Sequence, residues 1–109
     1  MKINQHVTEH TLTLSLDGEL DASSSVLLDT ELSKPEILSF QKVLIDCRQL
    51  NYISSAGLGV FISHLQTFQD AGVKLVFFNM QEKVHNVFEI LGLDSLMTIV
   101  PSEAEAVAI

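Results

Sequence analysis

Between Val43 and Leu65 the chain changes its apolar period within a few residues, and that change restricts the fold more than any other feature. Val43-Leu44-Ile45 is a short continuous apolar run, which suits a strand buried on both faces. Asp46 closes it. From Leu58 onward the spacing is helical: Leu58, Phe61, Ile62, Leu65 and Phe68 fall at i, i+3, i+4, i+7 and i+10. Between them lies Ser54-Ser55-Ala56-Gly57. Serine is a preferred helix N-cap, because its hydroxyl accepts a backbone N–H that has no partner inside the helix. The segment reads as strand, short loop, then a helix that opens with a serine pair.

A helix N-terminus favours negative charge through its free N–H groups and dipole. A phosphate on Ser55 would be well placed there. Ile53-Ser54-Ser55-Ala56-Gly57-Leu58-Gly59-Val60, preceded by Leu44-Ile45-Asp46, resembles the signature of the STAS domain family. Within that family the chain is most similar to single-domain bacterial anti-sigma factor antagonists. The family motif usually reads Asp-Ser-Ser/Thr-Gly-Leu, and one of its hydroxyls is the phosphorylation site. Aligned on Gly57-Leu58, the resemblance makes that hydroxyl Ser55. Ser54 stands where the family has aspartate.

At 109 residues the expectation is one STAS domain over 1–109, long enough for a modest core. A formal charge of −8 argues against nucleic-acid phosphates or anionic membrane as partners. It is compatible with a basic protein surface, or simply with solubility. Cys47 stands alone, so no intrachain disulfide can form and nothing points to an oxidising compartment. The N-terminal Met-Lys-Ile-Asn-Gln lacks the apolar core of a signal peptide. No apolar run approaches the roughly 18–20 residues that span a bilayer. The expected location is cytoplasmic, without membrane insertion.

In chain order, Lys2 to Val7 is expected as an edge strand. Thr11-Leu12-Thr13-Leu14-Ser15-Leu16 alternates strictly, the mark of a strand with one buried face. Gly18 is expected to break it. Asp21 to Ser25 offer helix caps, before a helix with Leu27, Leu28 and Leu32 inward that ends near Ser33, ahead of Pro35. Ile37 to Gln41 reads as a loop or a last turn. Gly18-Glu19-Leu20-Asp21 is also similar to the family's second-strand ending, where the resemblance puts that aspartate near the phosphorylatable loop. After the central helix, Ala71-Gly72 is a stop. Val73 to Phe78 is the next strand, and Val84, Val87, Phe88 and Leu91 recur at helical spacing up to Gly92. Met97 to Val100 is a short strand, and Pro101-Ser102-Glu103 starts a final helix. This alternation implies an α/β fold: a small mixed, mostly parallel sheet of four to five strands with about four helices, STAS-like.

Asp46, at a strand's carboxyl end, is either functional or holds the loop through the amides of Asn51 or Ser54. Asp21 is either a cap or an interface acid. The four histidines have no ligand spacing for a metal, and no cofactor is expected. Ser55 and His64 lie nine residues apart on one helix, about 13 Å along its axis, whereas a nucleophile and its base must approach to about 3 Å. No Gly-x-Ser-x-Gly elbow and no Walker-type loop is present. Nothing here reads as an enzyme.

What remains is a surface. Gly59, Val60, Ser63 and Thr67 are expected to project away from the core face of the central helix. Gly59 gives a flat spot, and Val60 an apolar contact beside Ser55. The resemblance implies that this helix and its loop bind an anti-sigma factor that is itself a serine kinase using ATP. The expected partner-binding residues are Asp21, Ser54, Gly57, Gly59, Val60 and Ser63. Phosphorylation of Ser55 would end binding, and a metal-dependent serine phosphatase would restore it. The alternative is a non-phosphorylated STAS scaffold or accessory subunit of a transport or sensory complex, which the loss of the motif aspartate favours. A nucleotide or small hydrophobic ligand has only the fold behind it.

Overall fold

The computed structural model describes residues 1–109. Its strands are β1 (Lys2–Thr8), β2 (Thr11–Leu20), β3 (Lys42–Asp46), β4 (Leu50–Ile53), β5 (Lys74–Phe78) and β6 (Thr98–Val100). Its helices are α1 (Ala22–Leu32), α2 (Ser55–Asp70), α3 (Glu82–Ile90) and α4 (Glu103–Ala108), with 3₁₀ turns at Pro35–Ser39 and Leu93–Ser95. The strands form one six-stranded sheet in the order β1-β2-β3-β5-β6, with β4 added beside β2. Only β1–β2 is antiparallel; every other pair is parallel. No helix is long and apolar enough to cross a membrane.

The alternation in β2 puts Leu12, Leu14 and Leu16 inward, each almost fully buried. Gly18 does not end this strand. The ten-residue β2 pairs with β3 from Thr11 to Ser15, then with β4 from Gly18 to Leu20, and its register shifts between Gly18 and Glu19. Gly18 has φ +116°, a conformation open to glycine, and so carries the bulge that lets one strand serve two partners. The segment expected as a loop before Ser54 therefore contains β4. Its end residues Leu50 and Ile53 are buried while Asn51 and Tyr52 are exposed, a pattern with no strand period.

Helices α1, α2 and α3 pack on one face of the sheet. There Val43, Ile45 and Phe77 meet Leu28, Leu32, Phe61, Phe68, Val84 and Phe88 in a single apolar cluster. Phe61 meets Phe77 edge-on, centroids 4.8 Å apart. On the other face, Leu44, Val76 and Phe78 are covered by α4 through Ala106. The β3 run is thus buried from both sides, as its composition requires.

Three apolar residues expected inward lie outside. Leu27 is 43% exposed, Ile62 43% and Leu91 56%. In α1 the buried stripe is Ser25, Leu28 and Leu32, and Leu27 is one ~100° step off it. In α2, Ile62 stands the same step beyond Phe61, at the margin of the stripe formed by Leu58, Phe61 and Phe68. Leu91 is already the C-cap of α3.

Candidate functional site

The carboxyl ends of β2 and β4 lie side by side, with Leu20 paired to Ile53. Each strand leads straight into a helix, so the N-termini of α1 and α2 open at the same end of the sheet, where parallel α/β folds place their sites. The Ser54 N–H donates to the Leu20 carbonyl at 2.9 Å, which fixes the start of α2 against the end of β2.

Asp21 caps α1. Its Oδ1 accepts the Ser24 N–H at 3.0 Å and the Ser23 hydroxyl at 2.9 Å, while Ser24 Oγ accepts the Asp21 N–H at 2.9 Å. This is a capping box with serine in place of the usual glutamate. The Ser24 N–H, helped by the Ser23 and Ser24 hydroxyls, holds the carboxyl down to about 2. A permanent negative charge thus sits at the head of α1.

The two serines of the motif have different roles. Ser54 Oγ accepts the Gly57 N–H at 3.2 Å and is the N-cap of α2. Ser55 is the first helical residue and is exposed. Gly57 N–H is taken by Ser54 Oγ and Leu58 N–H by the Ser54 carbonyl at 3.0 Å. The first-turn donors left for an added anion are those of Ser55 and Ala56.

The remaining expected contacts separate into two groups. Gly59 lies open: a Cβ there would meet nothing within 4 Å. Ser63 is exposed, its hydroxyl turned onto the Val60 carbonyl at 2.7 Å. Two expectations need correction. Gly57 is buried, and a Cβ on it would stand 2.6 Å from Leu20 Cγ; it lets α2 approach β2 and presents nothing outward. Val60 is half-buried and packs against the main core, because its side of α2 turns toward the protein and not away from it.

Asp46 holds the β3–β4 turn, but through Arg48, whose N–H donates to Oδ1 at 3.0 Å, and not through Asn51 or Ser54. His64 is occupied elsewhere, with Nε2 2.8 Å from Asp29 Oδ1 of α1. Other residues of this end escaped the sequence reading. Tyr52 is 51% exposed on β4, and Gln81 Nε2 donates to the Arg48 carbonyl at 2.9 Å, tying the head of α3 to the turn before β4. Ala56 and Ile62 extend the exposed face of α2. A signal for this face was available: no Asp, Glu, Lys or Arg occurs from Gln49 to Gln69. In a chain of charge −8, an exposed helix face without charged side chains loses little hydration when it is covered.

The STAS domain family model matches residues 2–106. The anti-sigma-B factor antagonist of Listeria monocytogenes serovar 1/2a is 27% identical over 105 residues, spanning 96% of this chain and 91% of that protein. Among solved structures, an anti-sigma factor antagonist from Mycobacterium paratuberculosis superposes with TM-score 0.83 at 17% identity, over 98% of this chain and 91% of that one. The Bacillus cell fate determinant SpoIIAA, solved in its phosphorylated form, superposes with TM-score 0.73 at 20% identity, over 98% and 97%.

Proposed function

Since the chain belongs to the STAS domain family, we propose that it is an anti-sigma factor antagonist whose switch is Ser55. Unphosphorylated, it binds an anti-sigma factor through the head and exposed face of α2, and so frees the sigma factor. That partner is a serine kinase, which ends the interaction by transferring phosphate to Ser55. A metal-dependent serine phosphatase reverses the modification. The chain acts by binding, and no step asks it for turnover.

The observation that carries this reading is the division of labour between the two serines. Ser54 is committed to capping α2, whereas Ser55 is exposed one residue later at the first helical position. The Ser54 cap also does locally what an aspartate in its place would do, accepting an N–H of the first turn. Around Ser55, the proposed contact comprises Asp21, Ser54, Gly59 and Ser63, with Val60 offering its exposed edge. Gly57 supports the surface from beneath.

Phosphate adds roughly −1.5 to −2 charge and three acceptor oxygens. Against a partner carboxylate at about 6 Å, with an effective dielectric near 20, each added charge costs about 2–3 kcal/mol. That approaches a hundredfold in affinity. The Ser55 and Ala56 N–H groups favour the anion, so the fold survives the change.

The test is incubation with the candidate kinase and ATP, site mapping by mass spectrometry, and calorimetry on Ser55→Asp and Ser55→Ala. Phosphate on Ser55, about a hundredfold weaker binding of Ser55→Asp and retained binding of Ser55→Ala are expected. Phosphate on Ser54 alone would overturn the assignment. A Ser55→Asp variant that binds like the unmodified chain would overturn the electrostatic switch. A chain that is neither phosphorylated nor bound would be a scaffold or accessory STAS subunit.

A further inference from the structure

We propose that the outer edge of β1 joins two copies of this chain, paired β1 to β1 antiparallel about Gln5. The edge is built for pairing. β1 is seven residues long, in unbroken register with β2 from Lys2↔Asp17 to Thr8↔Thr11, without proline, and charged only at Lys2. Folded proteins normally shorten, bulge or charge such edges. The opposite edge strand, β6, has only three residues.

The side chains select the occupant. A two-fold axis at Gln5 sets Ile3 of one copy opposite Val7 of the second, Asn4 opposite His6, and Lys2 opposite Thr8. Like then meets like on both faces: the Ile3–Gln5–Val7 row faces its own kind, and so does the polar row of Lys2, Asn4, His6 and Thr8. The registers two residues away are also allowed by the pleat. They would set Ile3 or Val7 against Gln5, or His6 against His6. Of these three only the Gln5-centred register pairs apolar with apolar, and registers centred on Ile3 or Val7, which also do so, overlap over less of the strand.

Two further observations agree. Val7 is 56% exposed and lines a cavity of about 220 Å³ whose apolar side is Leu12, Ile37 and Phe40. Ile3 of the second copy, placed beside Val7, adds an apolar side chain at this cavity. Lys2 lies opposite Thr8 of the second copy, so the one lysine of each β1 meets a neutral polar side chain and no like charge. The overall charge of −8 per copy opposes association, so the dimer strengthens as salt screens it. β2 stands between β1 and both β3 and β4, and the Ser55 face stays free.

Sedimentation of the purified chain from micromolar to millimolar, at low salt and at about 0.5 M salt, should show a reversible dimer that salt favours. Val7→Lys should lose the dimer while keeping the thermal midpoint. The register is tested by single cysteines. Across an antiparallel pair Cα atoms are about 4.5–5.5 Å apart, within disulfide reach, so Gln5→Cys should oxidise to a covalent dimer. His6→Cys should not, because its own mate lies two residues along the strand, beyond the roughly 7 Å that can be bridged. A chain that stays monomeric throughout overturns the proposal, as does a Val7→Lys variant that dimerises undiminished. Cross-linking through His6→Cys in preference to Gln5→Cys overturns the register. Should Val7→Lys fail to fold, the two cysteine variants decide.

Discussion

Leu20 and Gly57 touch so closely that no side chain can stand between them. A Cβ on Gly57 would lie 2.6 Å from Leu20 Cγ and 2.7 Å from Cδ2, and Leu20 is fully buried. Two residues further along α2, about 200° round the helix, Gly59 faces open space. The motif's two glycines are therefore opposite in kind, and the same substitution separates them.

Gly57→Ala forces Leu20 or the head of α2 to move, an overpacking cost of about 1–3 kcal/mol. Gly59→Ala removes a flexible residue from an exposed helix position and stabilises by about 0.5–1 kcal/mol. At roughly 4–8 °C per kcal/mol for a small domain, calorimetry should find the first midpoint lowered by several degrees and the second raised. Two shifts of the same sign would contradict the packing described here.

Gly59→Arg should leave the melt nearly unchanged and weaken partner binding at least tenfold, about 1.4 kcal/mol. The long side chain covers the flat spot on α2 without entering the core. Titration against the candidate anti-sigma factor checks this; undiminished affinity would place the interface away from α2.

The Asp21 carboxyl titrates near 2 in the folded chain, against an ordinary 3.8. A depressed folded value means the unfolded chain binds more protons in this window, so stability rises with pH across it. The contribution is complete above about pH 4 and is lost as pH falls toward 2. Asn keeps a capping oxygen but has no charge to lose. The difference in midpoint between the native chain and Asp21→Asn should be flat above about pH 4 and shrink toward pH 2. A difference that stays constant to pH 2 would remove the charged cap from the account.

Burial pushes the Cys47 thiol far up, and the neighbouring Asp46 charge adds to the effect. Thiolate is the reactive form, so the folded chain should resist thiol reagents at neutral pH and react fully in denaturant. Prompt labelling of the native chain would mean that the β3 end opens far more readily than its packing suggests.

The elements that could be read from the sequence are those whose pattern is local. Thr11–Leu16 alternates, Val43–Ile45 is continuously apolar, and Leu58, Phe61 and Phe68 repeat on a helical stripe. Each period survives in the fold because the sheet face it needs is present. β4 was not legible, since Leu50 and Ile53 are buried through β2 and the helices while Asn51 and Tyr52 between them are not. Gly18 reads locally as a strand end because the partner that continues the strand past its bulge lies far along the chain. At the site, the motif register sets Ser55 apart from Ser54 without a structure, whereas the capping role of Ser54 is seen only in the fold. The burial of Gly57 could not be foreseen, because its neighbour Leu20 belongs to another strand.

Helix α4 has six residues, fewer than an isolated helix needs to hold itself together. It persists because Ala106 is seated on Leu44, Val76 and Phe78 and because the Lys42 ammonium donates to the Val107 carbonyl. The sheet is therefore sealed by three helices on one side and by a single short one on the other. Amide exchange would begin at that thin side, and each opening would uncover a leucine, a valine and a phenylalanine on adjacent strands. The apolar surface nearest to being uncovered therefore lies on the far side of the molecule from α2, whatever α2 is bound to.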